Sequence, residues 1–429
     1  MERIKHFGRT TFSSLKIRNY RLYFIGQIVS LSGTWMQTVA LGWLVLELTH
    51  SGTALGIVVA LQFIPILILG PWGGLVADRY NKRTILYITQ TAFGLLTLGV
   101  SILIFSGFVT ITVLYLFALL FGIVRLFDNP ARQTFVSQLV DTSNLKNAVS
   151  LNATVNNLAR AVGPSIAGIL IAGIGISFCF LFNALTYVVT IITLWYMQGD
   201  ELHEMVPKKK GKGELREGFH YVMATPVIRD TLIMMAFIGT FVFEFQVSLP
   251  IFAQQVFHGD AKSYALLLAT MGAGSVLGGL FAAGRHKVAP HHLIFFMAAF
   301  GISLLGVSVM PTLSLAAFGM FVVGFFSINV TSLGNTILQL ESKPEMRGRV
   351  MALWGMAMLG STPIGGPIIG FIGEFAGGRW GVATGGIVAI LTALGAAIAL
   401  LRKSREEQVI PHSVEYRSDE ASIKSIKIP

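Results

Sequence analysis

Charge is what this sequence has least of. Only 12% of its 429 residues are Asp, Glu, Lys or Arg, while 53% are hydrophobic; soluble domains carry about 25% charged residues. That scarcity excludes an ordinary water-soluble globule, whose interior could not hide so much apolar side chain. Cysteine is nearly missing too. The single Cys179 lies in an apolar run, which excludes a disulfide framework and a thiolate metal cluster. No HExxH, GxSxG or phosphate-loop pattern occurs, and the nine histidines fall in loops, near the ends of apolar runs or in the tails. Metalloprotease, serine-hydrolase and nucleotide-driven chemistries therefore lack their residues. The expectation is a protein that is not an enzyme and uses no cofactor and no metal.

What the sequence does have is a series of long apolar runs. Read between charges and turn residues, they fall at 22–46, 52–77, 84–106, 109–127, 147–173, 176–197, 231–257, 263–284, 292–310, 312–338, 350–372 and 380–401. About 20 apolar residues suffice for a helix to cross the hydrocarbon core. Continuous runs of this kind differ from the alternating segments of about ten residues that build a membrane β-barrel. The expected class is an all-α membrane protein with twelve transmembrane helices, with the lipid bilayer as its solvent. The first twenty residues are polar and basic and the first apolar run is long for a signal core, which predicts no cleavable signal peptide.

The formal charge of +11 is unevenly placed. Turns near 47–51, 106–108, 173–175, 258–262, 311 and 373–379 are short and poor in charge, whereas the alternate connections are longer and basic. Of the 32 Lys and Arg, all but Arg160, Lys262 and Arg379 lie at or near that second side. Basic loops stay in the cytoplasm, so the expected location is the bacterial inner membrane, multi-pass, with both termini cytoplasmic. The rule also accounts for the positive charge without any nucleic-acid partner.

One long polar stretch divides the chain. It carries Lys208, Lys209, Lys210 and Lys212, a run that serves either as topological ballast or to attract anionic headgroups. The predicted organisation is a cytoplasmic N-terminal segment (1–21), a six-helix bundle (22–198), a cytoplasmic linker (199–230), a second six-helix bundle (231–402) and a polar tail (403–429) expected to be disordered. The bundles echo each other. GGLVADRYNKR at 73–83 returns as GGLFAAGRHK at 278–287, and NLKNAVSLNA at 144–153 has its counterpart in EMRGRVMALW at 345–354. Nearly equal offsets at two separate places indicate duplication of a six-helix unit, the parallel repeat found in one large class of secondary transporters.

The first repeated block resembles the helix 2–3 signature of the major facilitator superfamily, G-x-L-a-D-r-x-G-r-k, with Val76 in place of Leu and Asn81 in place of Gly. The resemblance implies two six-helix bundles working by alternating access. It also implies a conformational latch formed by Gly74, Asp78, Arg79, Lys82 and Arg83. Gly74 would let its helix approach a neighbour, and Asp78 would sit at the positive end of a helix from the other half or pair with a basic residue. In the second copy Ala283 or Gly284 replaces the acid, leaving one latch intact. Gly163, Pro164 and Gly168 are similar to the antiporter signature g-x-x-x-G-P-x-x-G-G, with Ala159 and Ala167 standing for two glycines. Residues 15–49, 127–140 and 213–229 resemble the bacterial drug-efflux branch that includes macrolide-efflux proteins and the enterobactin exporter. The implied function is proton-coupled efflux of an amphipathic small molecule (drug, macrolide or siderophore) by a monomer. The alternatives are a proton- or ion-coupled symporter for a small solute and a nontransporting receptor or scaffold.

Within the twelve runs three charged residues remain: Arg125, Arg160 and Glu244. Insertion scales put an ionised residue at a span centre at about 2.5–3.5 kcal/mol, so each needs a reason. Arg125 lies near the end of its run, where it either snorkels to water or has a function. Arg160 and Glu244 lie near mid-span. Asn152, Asn156, Arg160 and Gly163 share one helical face, as do Thr240, Glu244 and Ser248. Helix 1 offers Gln27, Thr34 and Gln37, and helix 10 offers Asn329 and Thr336, on spans that the resemblance places around a central cavity with spans 4 and 7. Polar glue between helices is the alternative for each. Trp35, Trp43, Phe63, Phe241 and Phe245 are candidate apolar lining. Glu244 is the candidate coupling carboxylate, since a carboxyl group out of water favours its protonated form until a cation approaches; a permanent ion pair with Arg160 is the other reading.

Overall fold

The computed structural model describes residues 13–203, 214–285, 288–359 and 361–409. The predicted polybasic run at 208–212, the first part of the N-terminal segment and the last part of the tail lie outside the described residues. After a short 3-10 turn, the first half consists of α1 (Arg18–Thr49), α2 (Gly52–Arg79), α3 (Lys82–Phe105), α4 (Ile111–Phe135), α5 (Thr142–Gly173) and α6 (Ile176–Trp195). A short α7 (Glu214–Ala224) leads into the second half. That half comprises α8 (Pro226–Phe241), α9 (Phe245–Phe257), α10 (Ala261–Ala283), α11 (Pro290–Ser308), α12 (Leu313–Glu341), α13 (Arg347–Leu359), α14 (Thr362–Phe375) and α15 (Gly378–Val409). Among the described residues, twelve helical segments are long and apolar enough to cross a membrane, with α8–α9 and α13–α14 each forming one interrupted span.

Local chemistry ends these helices where the turn residues stand. Ser51, Thr110, Asp260 and Thr312 accept the first free amides of α2, α4, α10 and α12, the usual relief for helix starts. His50 and His258 close the first and seventh spans with positive φ of 51° and 48°. These two positions correspond in the repeat, so the duplication reaches the backbone conformation of its turns.

The packing repeats as well. In the first half α1 lies against α5, α2 against α4 and α3 against α6; in the second, α8 lies against α13, α10 against α12 and α11 against α15. Two helix pairs make most of the contact between the halves, α2 with α14 and α5 with α10. The α2–α14 seam is nearly bare backbone: a methyl group on Gly52 would stand 2.6 Å from the Gly370 carbonyl oxygen, and Gly56 faces Gly366. On α10, a methyl group on Gly272 would meet the Ala161 backbone of α5 at 2.6 Å. These contacts lie at mid-depth and toward the end opposite the termini, called here the far end. Toward the end that carries the termini, Gly70, Gly74, Gly279 and Gly355 have nothing among the described residues within 4 Å of an added methyl. Among the described residues the halves therefore meet most closely at mid-depth and the far end and leave open space at the terminal end.

Three features differ from the sequence expectation. Span 4 does not stop at residue 127 but continues as helix to Phe135, because Asp128 and Arg132 are accommodated inside the bundle. Spans 7 and 11 are broken near Val242–Glu244 and Ser361, interruptions to which hydropathy is blind. The predicted linker also contains the helix α7, docked on the second half by the Glu217–Arg349 ion pair at 3.0 Å and by Val222 in a cluster with Ile228, Leu338 and Val350.

Candidate functional site

Two buried carboxylates define the polar interior. Asp128, only 3% exposed, sits on α4. Its Oδ1 accepts from Thr89 Oγ1 at 2.7 Å and Gln90 Nε2 at 2.8 Å, and its Oδ2 accepts from Arg132 Nε at 2.9 Å. Arg132 Nη1 in turn donates to Gln27 Oε1 at 2.7 Å. The network ties α1, α3 and α4 together. Gln27, expected to line a cavity, belongs instead to this packed cluster. Sequence reading missed Asp128 and Arg132 by assigning them to a loop. Their i,i+4 spacing directly after an apolar run was the available signal.

Glu244 is also 3% exposed, at the break between α8 and α9. Thr362, at the break in span 11, is the polar side chain that acts on its carboxyl. Oε1 is buried with no hydrogen-bond partner among the described residues. Small residues make this crossing possible: a methyl on Gly365 would lie 3.1 Å from Glu244 Oε1 and would collide with the Thr240 carbonyl. Arg160 does not reach Glu244. Its guanidinium lies over the Trp35 ring at 5.1 Å, and its Nε is buried without a hydrogen-bond partner among the described residues. The permanent Arg160–Glu244 ion pair is thus not the arrangement of this structure.

Arg125 lies over Phe63 and Phe121 at 5.2 and 5.3 Å, ring contacts that suit a guanidinium away from bulk water. It shares a small recess with Thr34, Gln37, Gln62 and Gln246. Gln37 is held there by Asn183 Nδ2 at 2.6 Å and Thr97 Oγ1 at 3.1 Å. Because Gln246 comes from α9, the recess straddles the two halves.

The remaining candidates separate. Asn329 is fully buried and bonded to the Gly278 carbonyl and to Arg285 Nη2 at 2.8 Å, so it is glue between α10 and α12 rather than cavity lining. Ser248 is buried beside Gly381. Thr336, half-buried, donates to its own helix at Ser332, and Asn156, exposed, does the same to Asn152. Gly163 packs on Ser32 and Trp35 of α1, and Gly168 on Ala265 of α10, while Pro164 sits inside an uninterrupted α5. The aromatic candidates form no single pocket: Phe245 packs on Phe243 and Phe300, and Phe241 lines a groove between α8 and α15.

In the latch segment, Asn81 accepts from the Arg83 and Thr84 amides and so caps α3. Arg83 donates to the carbonyls of Leu194, Trp195 and Met197 at 2.7, 3.2 and 3.0 Å. Its bonds therefore fasten α3 to α6 inside one half. Arg79 is exposed and Lys82 half-buried. Gly74 has open space beside it, as expected where the halves have parted.

Two repeated bundles meeting through α2–α14 and α5–α10 are an architecture shared with solved transporters. The nucleoside transporter NupG superposes with a TM-score of 0.70 at 15% identity, covering 90% of this chain and 99% of that one. A POT family transporter superposes with a TM-score of 0.72 at 12% identity, covering 90% and 96%. The fold is that of the major facilitator transporters, and the protein is a multi-pass membrane transporter of small molecules. The chain belongs to the transmembrane secretion effector family, which matches it over residues 9–424. Similar curated proteins include the staphyloferrin A transporter of Staphylococcus aureus (strain NCTC 8325 / PS 47), 26% identical over 350 residues, or 80% of this chain and 87% of that one. The enterobactin exporter EntS of Escherichia coli O1:K1 is 23% identical over 363 residues, covering 82% and 85%.

Proposed function

We propose that this transporter exports an amphipathic small molecule, with a siderophore, a drug and a macrolide as the candidate classes, in exchange for protons. It does so as a monomer in the bacterial inner membrane with both termini in the cytoplasm. Basic residues concentrated beside the termini support that orientation. In it, the parted end opens to the cytoplasm, where an exporter loads. Gly74, Asp78, Arg79 and Lys82 then act as the latch that closes this end, Gly74 providing the room for α2 to approach span 11. The names of two relatives, a staphyloferrin A transporter and an enterobactin exporter, favour the siderophore class.

The observation that carries the coupling is Glu244, a buried carboxyl group at the crossing of two broken spans with one oxygen unbonded among the described residues. Neutralisation by a proton relieves the cost of burying an unpaired carboxylate. Movement of spans 7 and 11 would change that carboxyl's surroundings, linking protonation to which end is open. Arg160 and Arg125, lacking an ion pair among the described residues, are the cationic groups available to an anionic substrate. Reconstituted protein should drive substrate against its gradient when protons run the opposite way, and an uncoupler should stop it. Glu244→Gln should abolish proton-driven movement and keep downhill exchange. Uphill export that persists in Glu244→Gln would overturn the coupling role, and substrate moving with the proton would establish symport instead.

A further inference from the structure

A charged group stands in the α2–α14 seam between the halves, and its position assigns it a task. Glu374 lies in the last turn of α14, at the far end. Its Oε2 accepts from Ser51 Oγ at 2.7 Å and from the Thr53 amide at 2.9 Å, both at the start of α2. The Thr53 amide is one of the first-turn donors that an α-helix cannot satisfy internally, and it points its positive end at the carboxylate. Ser51 binds in two directions, since its oxygen also accepts from the Ala54 amide at 3.1 Å. Ser51 thus caps α2 and fastens it to the other half.

These two side-chain hydrogen bonds cross between the halves. At the two principal helix pairs the contact is otherwise glycine backbone and small apolar side chains: Gly52 on Gly370, Gly56 on Gly366, and Gly168 and Gly272 on Ala265 and Ala161 respectively. Van der Waals contact favours closeness but accepts many relative positions. A carboxylate bound by a hydroxyl and a helix-start amide does not, because charged hydrogen bonds are short and directional.

We propose that Glu374 is the far-end gate of this transporter: its carboxylate holds α2 against α14 while the terminal end is open, and release of the Ser51 and Thr53 bonds is the step that lets the far end part. This role goes beyond the coupling assigned to Glu244 and holds for either direction of transport. Rocking of one bundle on the other must break both bonds together, since they originate two residues apart in the first turn of one helix. Loss of the carboxylate should therefore raise the ratio of far-end-open to far-end-closed molecules by about tenfold or more, the effect of removing a charged hydrogen bond.

Distance measurement tests this without knowledge of the substrate. Phe108, after α3, and Val309, after α11, are both highly exposed at the far end, one on each half. Spin labels on cysteines at these positions, in a Cys179→Ala background, report separation by double electron–electron resonance in proteoliposomes. The parent should show mainly the short distance. Glu374→Ala should shift the population to the long distance, and Glu374→Gln should shift it in the same direction by less, since an amide oxygen still accepts a hydrogen bond. Ser51→Ala serves as the second route, removing the hydroxyl while leaving the carboxylate in place, and should also lengthen the distance. Parent-like distance distributions in Glu374→Ala, or in both milder variants should that one fail to fold, would overturn the gate.

Discussion

Asp128 and Glu244 are equally buried and differently served. Asp128 has both oxygens engaged by Thr89, Gln90 and Arg132, and the group that balances its charge is anchored in turn by Gln27. Glu244 has Thr362 and an unbonded oxygen among the described residues. A buried polar group that is fully satisfied rigidifies its surroundings, whereas one that is partly satisfied stores a cost that a change of protonation or partner can relieve. The comparison separates a structural carboxylate in the first half from a responsive one in the second, at the same degree of burial.

The largest effect should come from breaking the satisfied site. Asp128→Ala strands Arg132 in the bundle, and removing one partner of a buried pair costs about 3–5 kcal/mol; detergent-solubilised protein should melt at a markedly lower temperature and express poorly. Next comes Arg83, whose three carbonyl contacts tie α3 to the end of α6. Arg83→Ala should cost about 1–2 kcal/mol in thermal stability, even though the residue belongs to a segment read as a latch. Glu244→Gln should reverse the pattern, changing stability by less than about 1 kcal/mol while proton-driven transport disappears. A large loss of stability there would place Glu244 with Asp128 and erase the distinction. The smallest effect is expected at Asn81, where the superfamily signature prefers glycine: Asn81→Gly keeps a permitted cap residue and should cost only about a few tenths of a kcal/mol.

The same two residues mark what could be read in advance. Glu244 was visible because a lone acid in the middle of a long apolar run has no solvent-facing explanation. Asp128 was not, because the apolar run of span 4 ends just before it, and two of the three donors that make its charge tolerable, Thr89 and Gln90, come from α3, far away in sequence. The twelve spans, the duplication and the segment at 73–83 were legible because each is local or periodic. The breaks in spans 7 and 11 were hidden, since an interrupted helix is as apolar as a whole one. The alternative reading, a pairing of Arg160 with Glu244, does not hold for a related reason: both lie at mid-depth, but Arg160 lies over the Trp35 ring. Glu374 was passed over as a turn residue, and only the antiparallel meeting of α2 and α14 brings it to Ser51.

The glycine seam bears on how fast such a machine can run. Where Gly52 and Gly56 lie on Gly370 and Gly366, backbone meets backbone, so few side chains have to change rotamer for the surfaces to separate or find a slot again when they return. The joint behaves as a plain bearing rather than a set of gears. Resistance to motion is then concentrated in the few polar fastenings at its rim, and the pace of the cycle becomes a property of those fastenings and of the cargo.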